Sequence, residues 1–271
     1  MDRRIIFLIM GASVAIPLLF SIDLPLQMTK PVKDFYETIE ALPEGSVVFV
    51  ADDWDPGSVG ELRTASIVVH EHLFQRNLKV IDVCLWPTGP GIVSQTLEEV
   101  ARRHNKTYGE DYVYLGFKEG RQTVMVALAE SIARTFPRDF HGNKMADLPI
   151  MRGIEKVQDC ALLISVSAGY PGTKEWVQQV RNRYDLDMMS ATGGVSAPEY
   201  YPYYESGQLL GIVGGIKAMA EYETLIGKEA FAVRAMDAQS VGHYTLVLLI
   251  VVGNVLYLMN RRREKKAGRG I

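Results

Sequence analysis

Cysteine is scarce in this chain: Cys84 and Cys160 are the only two among 271 residues. That excludes a disulfide-stapled scaffold and a thiolate metal cluster. Both sit inside apolar runs, so packed free thiols are expected rather than a bridge. Histidine is sparse as well, with five scattered copies. His70 and His72 stand two positions apart, a spacing that puts them on different faces of a helix. Positive charge is not in excess, for the formal net charge is −3. A nucleic-acid-binding domain needs a basic footprint, so no nucleic acid is expected as a partner. Signature motifs are missing too. There is no GxGxxG after a strand, no GxxxxGK followed by Ser or Thr, no GxSxG, no HExxH and no CxxC.

Long uncharged runs are present, and both are terminal. Residues 5–22, IIFLIMGASVAIPLLFSI, carry no charge. A run of that length approaches what a helix needs to span ~30 Å of hydrocarbon. A cleaved signal peptide has a shorter apolar core, about 7–15 residues, ending at a small-x-small site. The following SIDLPLQ offers no such site, so an uncleaved anchor is expected. Residues 244–259, YTLVLLIVVGNVLYLM, form the second run, extended by Val241 and Gly242 and bounded by Tyr244 and Tyr257. Arg3 and Arg4 precede the first run. Arg261, Arg262, Arg263, Lys265, Lys266 and Arg269 follow the second. By the positive-inside rule both termini are cytoplasmic. The expected organisation is an anchor over 1–25, an extracytoplasmic domain over 26–240, a second transmembrane helix over 241–260 and a basic cytoplasmic tail over 261–271. The segments 2–4 and 261–271 carry +1 and +5, so subtracting both from the total of −3 leaves the middle at −9.

Within the middle, β-branched apolar runs alternate with helical patterns. The runs are 46–51, 78–86, 111–117, 160–168 and 185–192. Helical spacing covers 58–76, 90–104, 122–135 and 173–184. Strands that read as buried on both faces, alternating with helices, imply a parallel sheet made of βαβ units. The fold class expected is α/β: a three-layer αβα domain with a mostly parallel sheet of about five strands, flanked by N- and C-terminal transmembrane helices. Residues 136–159 are a long irregular insertion with a short helix expected inside 148–157, and loops of that length usually cover or bind something.

The first strand runs into VADDWDPGS. Ligands of open α/β sheets bind outside the carboxyl ends of the strands, and Asp52, Asp53 and Asp55 lie there. Their carboxylates suit Ca²⁺ or Mg²⁺. Asp52 and Asp55 could converge in the turn, with Trp54 or Tyr170 stacking on a polar ligand. Against this, Asp55 followed by Pro56 is a favoured helix start. Aspartate-nucleophile chemistry is disfavoured, because its second Asp is followed by a hydrophobic residue and Thr, whereas here Asp55 is followed by Pro56.

A second unusual stretch is 206–236. Gly207, Gly211 and Gly215 repeat every four residues, one stripe if the stretch is a helix. Glycine costs a helix ~1 kcal/mol per position, so such a stripe implies a close contact: with the sheet as the domain's last helix, with the same helix of a neighbouring subunit, or with the membrane. Just upstream, PEYYPYYE presents Tyr200, Tyr201, Tyr203 and Tyr204, a composition favoured at interfaces. Residues 227–242 are expected to continue as helix to the membrane, with a hinge at Gly242 and His243. Within the second run, Gly253 and Asn254 are expected to pair with the first span or a partner helix. Together these features point to a non-enzymatic structural or binding subunit of a membrane-associated assembly, partnered by its own copies or by other membrane proteins, with no required cofactor. The alternative is an extracytoplasmic metal-dependent hydrolase or small-ligand sensor acting at the acidic edge.

Overall fold

The computed structural model describes residues 3–20, 22, 26–228 and 231–266. The chain divides into two compact units, Gln27–Lys228 on the one hand and Met1–Leu26 with Glu229–Ile271 on the other. Arg269 in the tail, Glu229 and Ala230, and part of the expected 1–25 anchor lie outside the described residues.

Gln27–Lys228 is a three-layer, Rossmann-like α/β domain. Six parallel strands, β1 (Val47–Asp53), β2 (Lys79–Val83), β3 (Tyr112–Tyr114), β4 (Leu162–Ser167), β5 (Met188–Thr192) and β6 (Ile212–Gly214), lie in the order β3-β2-β1-β4-β5-β6. The order reverses between β1 and β4, so the topological switch point falls where the acidic VADDWD stretch ends. Pleating sends alternate side chains to opposite faces. Phe49, Ala51, Ile81, Val83, Leu163 and Met188 share one core with Val124, Met125 and Leu128 and with Trp176, Val177 and Val180. Full burial of each large apolar side chain there contributes about 1.5–3 kcal/mol. The other face of β1 carries Val48, Val50 and Asp52 toward α3 (Val59–Gln75).

The remaining helices are α1 (Arg3–Leu19), α2 (Lys30–Glu40), α4 (Pro90–Arg103), α5 (Gln122–Glu130), α6 (Ile132–Thr135), α7 (Thr173–Trp176), α8 (Asn182–Tyr184), α9 (Ala197–Glu205), α10 (Gly215–Leu225) and α11 (Phe231–Lys266). A π turn over Val177–Arg181 joins α7 to α8. The sequence reading placed no element over 26–45, yet α2 forms there. It carries Pro31 in its first turn and buries Val32, Phe35 and Ile39 at helical spacing.

The 206–236 stretch is not one helix, and the glycine stripe does not exist as such. Gly207 (φ +77°) lies just past the end of α9, and Gly215 (φ +75°) opens α10. Such left-handed backbone breaks a helix and favours glycine. Between them the β-branched pair Ile212–Val213 makes β6, the sixth strand. Gly211 is required for another reason: a Cβ there would stand 2.5 Å from Phe35 Cα. The close backbone approach implied by the glycines is real, but it lies inside the domain, between α2 and the approach to β6.

The 136–159 insertion contains three single 3₁₀ turns, Met145–Asp147, Pro149–Met151 and Val157–Asp159, instead of a helix over 148–157. It buries Met145, Ile150 and Val157 in the core. The Phe140 N–H donates to Tyr114 O of the edge strand β3 at 3.0 Å. The insertion therefore covers an edge that would otherwise offer open backbone groups.

In the second unit α1 packs along α11. Met10, Val14 and Leu18 face Ala235, Ala238, Gly242 and Leu246 around a cleft of about 400 Å³. The pairing is antiparallel, with Val14 opposite Gly242: a Cβ on Gly242 would meet Val14 Cγ2 at 3.4 Å. The Ile22 N–H donates to Asp237 Oδ2 at 2.9 Å. Helix α11 runs without interruption through Gly242 and His243, so no hinge occurs there, and the break is earlier, at Gly227 (φ +71°). Gly253 has nothing within 4 Å of a would-be Cβ, and Asn254 Nδ2 donates to Ile250 O of its own turn at 2.9 Å. Among the described residues, no atom of the first span comes within 4 Å of a Cβ on Gly253, and the expected pairing with that span is not seen there. Over Phe231–Arg263, α11 is long and apolar enough to cross a membrane, with mean hydropathy 1.9 in its most apolar window. Helix α1 has 17 residues.

Candidate functional site

Asp52, Asp53 and Asp55 follow one another at the end of β1, but their carboxylates diverge. Asp55 caps the 3₁₀ turn Pro56–Ser58 that leads into α3: its Oδ1 accepts from Gly57 N–H at 3.0 Å and from Ser58 Oγ at 3.2 Å. Asp53 turns into the core shared with Trp176. Its Oδ1 accepts from Leu85 N–H and its Oδ2 from Trp176 Nε1–H, both at 2.7 Å. Burial pushes its pKa up to about 7, against these two hydrogen bonds. Asp52 points to the opposite face, beneath α3. The three therefore do not assemble the Ca²⁺ or Mg²⁺ site that their spacing allowed, because a period of two separates Asp52 from Asp53 by the thickness of the sheet.

Asp52 instead meets residues that sequence spacing does not connect. Asp82 of β2 and His70 of α3 join it, and one ligand atom from each of the three lies within 4.8 Å of the others. All three residues are fully buried. Ser66 Oγ donates to Asp52 Oδ2 at 2.7 Å. His70 Nδ1 lies 2.8 Å from Ser66 O. A carbonyl only accepts, so Nδ1 carries a proton and Nε2 faces the acids. Nε2 stands 3.5 Å from Asp82 Oδ2. Among the described residues, His70 Nε2, both oxygens of Asp82 and Asp52 Oδ1 have no hydrogen-bond partner. Burial, and then the neighbouring charge of Asp52, pushes Asp82 up to about 8. Burial also raises Asp52. It would lower His70, but the two carboxylates outweigh it and hold the imidazole above its usual value. The visible signal for this cluster is Asp82, a single acid inside the otherwise apolar VIDVCL.

The rest of the carboxyl edge is largely bonded to itself. Trp54 is fully buried and cannot stack on a ligand. Trp86 Nε1–H donates to Pro171 O at 2.8 Å. Gly194 N–H donates to Glu61 Oε2 at 3.0 Å, and Gly172 N–H to Glu175 Oε2 at 2.9 Å. A Cβ on Gly172 would fall 1.9 Å from Ser167 Oγ. Tyr170 does reach solvent, 56% exposed, with the Arg121 guanidinium 5.2 Å from its ring centroid.

The tyrosines expected at an interface lie on α9. Tyr200 is buried, Tyr203 and Tyr204 pack against the domain core, and Tyr201 is exposed. Tyr204 is further engaged, its hydroxyl donating to Asp34 and accepting from Lys30 Nζ. Of the glycines grouped with them, Gly211 and Gly215 are buried and Gly207 is exposed. Cys84 and Cys160 are free and buried.

No protein-family model and no curated protein matches the chain. Among solved structures it is similar to an α,α-trehalose-phosphate synthase (UDP-forming) from Burkholderia vietnamiensis, at 13% identity and TM-score 0.34, over 97% of this chain and 51% of that one. Another such synthase, from Burkholderia xenovorans in complex with glucose-6-phosphate, matches at 12% identity and TM-score 0.35, over 87% and 44%. A third structure, trehalose-6-phosphate from E. coli bound with UDP-2-fluoro glucose, matches at 11% identity and TM-score 0.33, over 88% and 46%. The chain thus spans about half the length of the solved structures it matches. Likeness at this level says nothing of activity.

Proposed function

We propose that this chain is a non-enzymatic structural or binding subunit of a membrane-associated assembly. In this reading two helices hold it in the bilayer, both ends lie in the cytoplasm, and the acidic α/β domain stands on the far side. The observation that carries the proposal is α11, whose apolar span is almost wholly uncovered by the rest of the protein. Exposed apolar surface on that scale marks contact with lipid or with other proteins. The apolar run of α1 and the basic residues outside both runs support the two-span topology. The bonding of Asp53 and Asp55 supports binding over hydrolysis, since both carboxylates are committed to shaping the loop and the core. Extraction in a mild detergent is expected to give a particle with a protein mass well above the 30.2 kDa of one chain. A monodisperse monomer under those conditions would sink the assembly reading.

The exposed Tyr170 beside Arg121 favours a second reading, a small-ligand sensor at the switch point. A Tyr170→Ala variant that loses binding of a polar solute would promote it, whereas unchanged solute binding would remove it.

A further inference from the structure

We propose that Asp52, His70 and Asp82 bind one divalent transition-metal ion of the zinc or manganese class, tying β1, β2 and α3 together. Three observations converge on this site. The first is the orphaned atoms. Fully buried polar groups almost always find partners, yet four ligand-type atoms of these residues have none among the described residues, and one ligand atom from each residue lies within 4.8 Å of the others. The second is spacing. The 3.5 Å from His70 Nε2 to Asp82 Oδ2 exceeds a normal hydrogen bond. It matches the separation of two ligands on a tetrahedral ion, about 3.3–3.6 Å for bonds of about 2.0–2.2 Å. The wider separations in the cluster, up to 4.8 Å, close by rotation of the Asp82 carboxyl, neither oxygen of which is held by a hydrogen bond.

The third is support from outside the ligand set. A metal-bound imidazole typically donates its other N–H to a carbonyl or carboxylate, and ligating carboxylates are themselves hydrogen-bonded. Ser66 supplies both contacts, its carbonyl to His70 Nδ1 and its hydroxyl to Asp52 Oδ2. Charge balances as well. With the ion bound, two carboxylates and a neutral imidazole contribute −2 and the divalent ion brings the cluster to zero, so no net charge is left in the dry interior, the protons otherwise held there being released on binding. One imidazole among carboxylates suits zinc or manganese better than calcium. The site lies beneath a helix, so the ion enters during folding and works as a structural tie.

The test uses the full chain in detergent. Elemental analysis after dialysis is expected to find about one zinc or manganese ion per chain, with a nitrogen-and-oxygen shell by X-ray absorption. At about 100 times Kd the ion should raise Tm by roughly 5–11 °C over chelator-treated protein. The Asp82→Asn and His70→Gln variants should each retain at least about tenfold less metal. Wild-type protein that purifies without metal, and whose Tm is indifferent to added Zn²⁺ and Mn²⁺, overturns the proposal and leaves the cluster as an imidazolium shared by two carboxylates. Full metal retention in the double variant overturns it equally. Should the variants fail to fold, the wild-type measurements alone decide.

Discussion

Asp53 holds the end of β1 to two neighbours at once, the chain leaving β2 and the helix after β4. Replacing it with alanine leaves the Leu85 N–H and the Trp176 Nε1–H without acceptors in the core. Each unsatisfied buried donor costs about 1–3 kcal/mol, so Asp53→Ala is expected to lose roughly 2–6 kcal/mol. Asp55→Ala removes a cap and should lose about 0.5–2 kcal/mol. Urea unfolding of the solubilised chain checks the order. An Asp55 penalty as large as that of Asp53 would contradict these separate roles. The thiols make a second residue-scale prediction. Burial pushes Cys160 up to about 12 and raises Cys84 too. The reactive thiolate is the form disfavoured, so at about pH 8 neither cysteine should react with maleimide until the domain unfolds. Mass spectrometry of native and denatured samples reads this directly, and rapid native labelling at either cysteine would count against the packing described. Of the three acids, only the capping role of Asp55 was legible in the sequence, because capping is local. The divergence of Asp52 and Asp53 follows from pleating, but the meeting of Asp52 with His70 and Asp82 needs the register of β1 with β2 and the placement of α3. No spacing along the chain contains that information.

Elements were legible where their signal was strong. Five strands read as buried apolar runs, and four long helical patterns fall where helices form. Helix α2 and strand β6 escaped because they depend on each other: Phe35 backs onto Gly211, and the short Ile212–Val213 run becomes a strand only beside β5. Glycines at steps of four imitate a helical stripe, although Gly207 and Gly215 break helices. The substitutions Gly211→Ala and Gly253→Ala separate a glycine required by close backbone approach from one beside open space. The first drives a methyl into the Phe35 backbone and should cost at least about 1–3 kcal/mol. The second meets open space and should shift stability by no more than about 1 kcal/mol, in the favourable direction. Thermal unfolding followed by circular dichroism distinguishes them, and a Gly211→Ala variant as stable as Gly253→Ala would contradict the close approach to Phe35.

For the molecule as a whole, charge asymmetry makes the strongest statement. Arg3 and Arg4 precede the first apolar run and six basic residues follow the second, the kind of Lys and Arg bias that the positive-inside rule reads. A reporter that matures only in the cytoplasm, fused in turn to each end, should be active at both. Activity at one end alone would reduce the chain to a single span and place the two ends on opposite sides. At 1.5 Å per residue the 36 residues of α11 extend about 54 Å, against a hydrocarbon layer of about 30 Å. Set across a bilayer, it is an unjointed rod with length to spare on either side. Whatever lies beyond either face of such a bilayer, the two ends of α11 would be tied by a single continuous ladder of backbone hydrogen bonds.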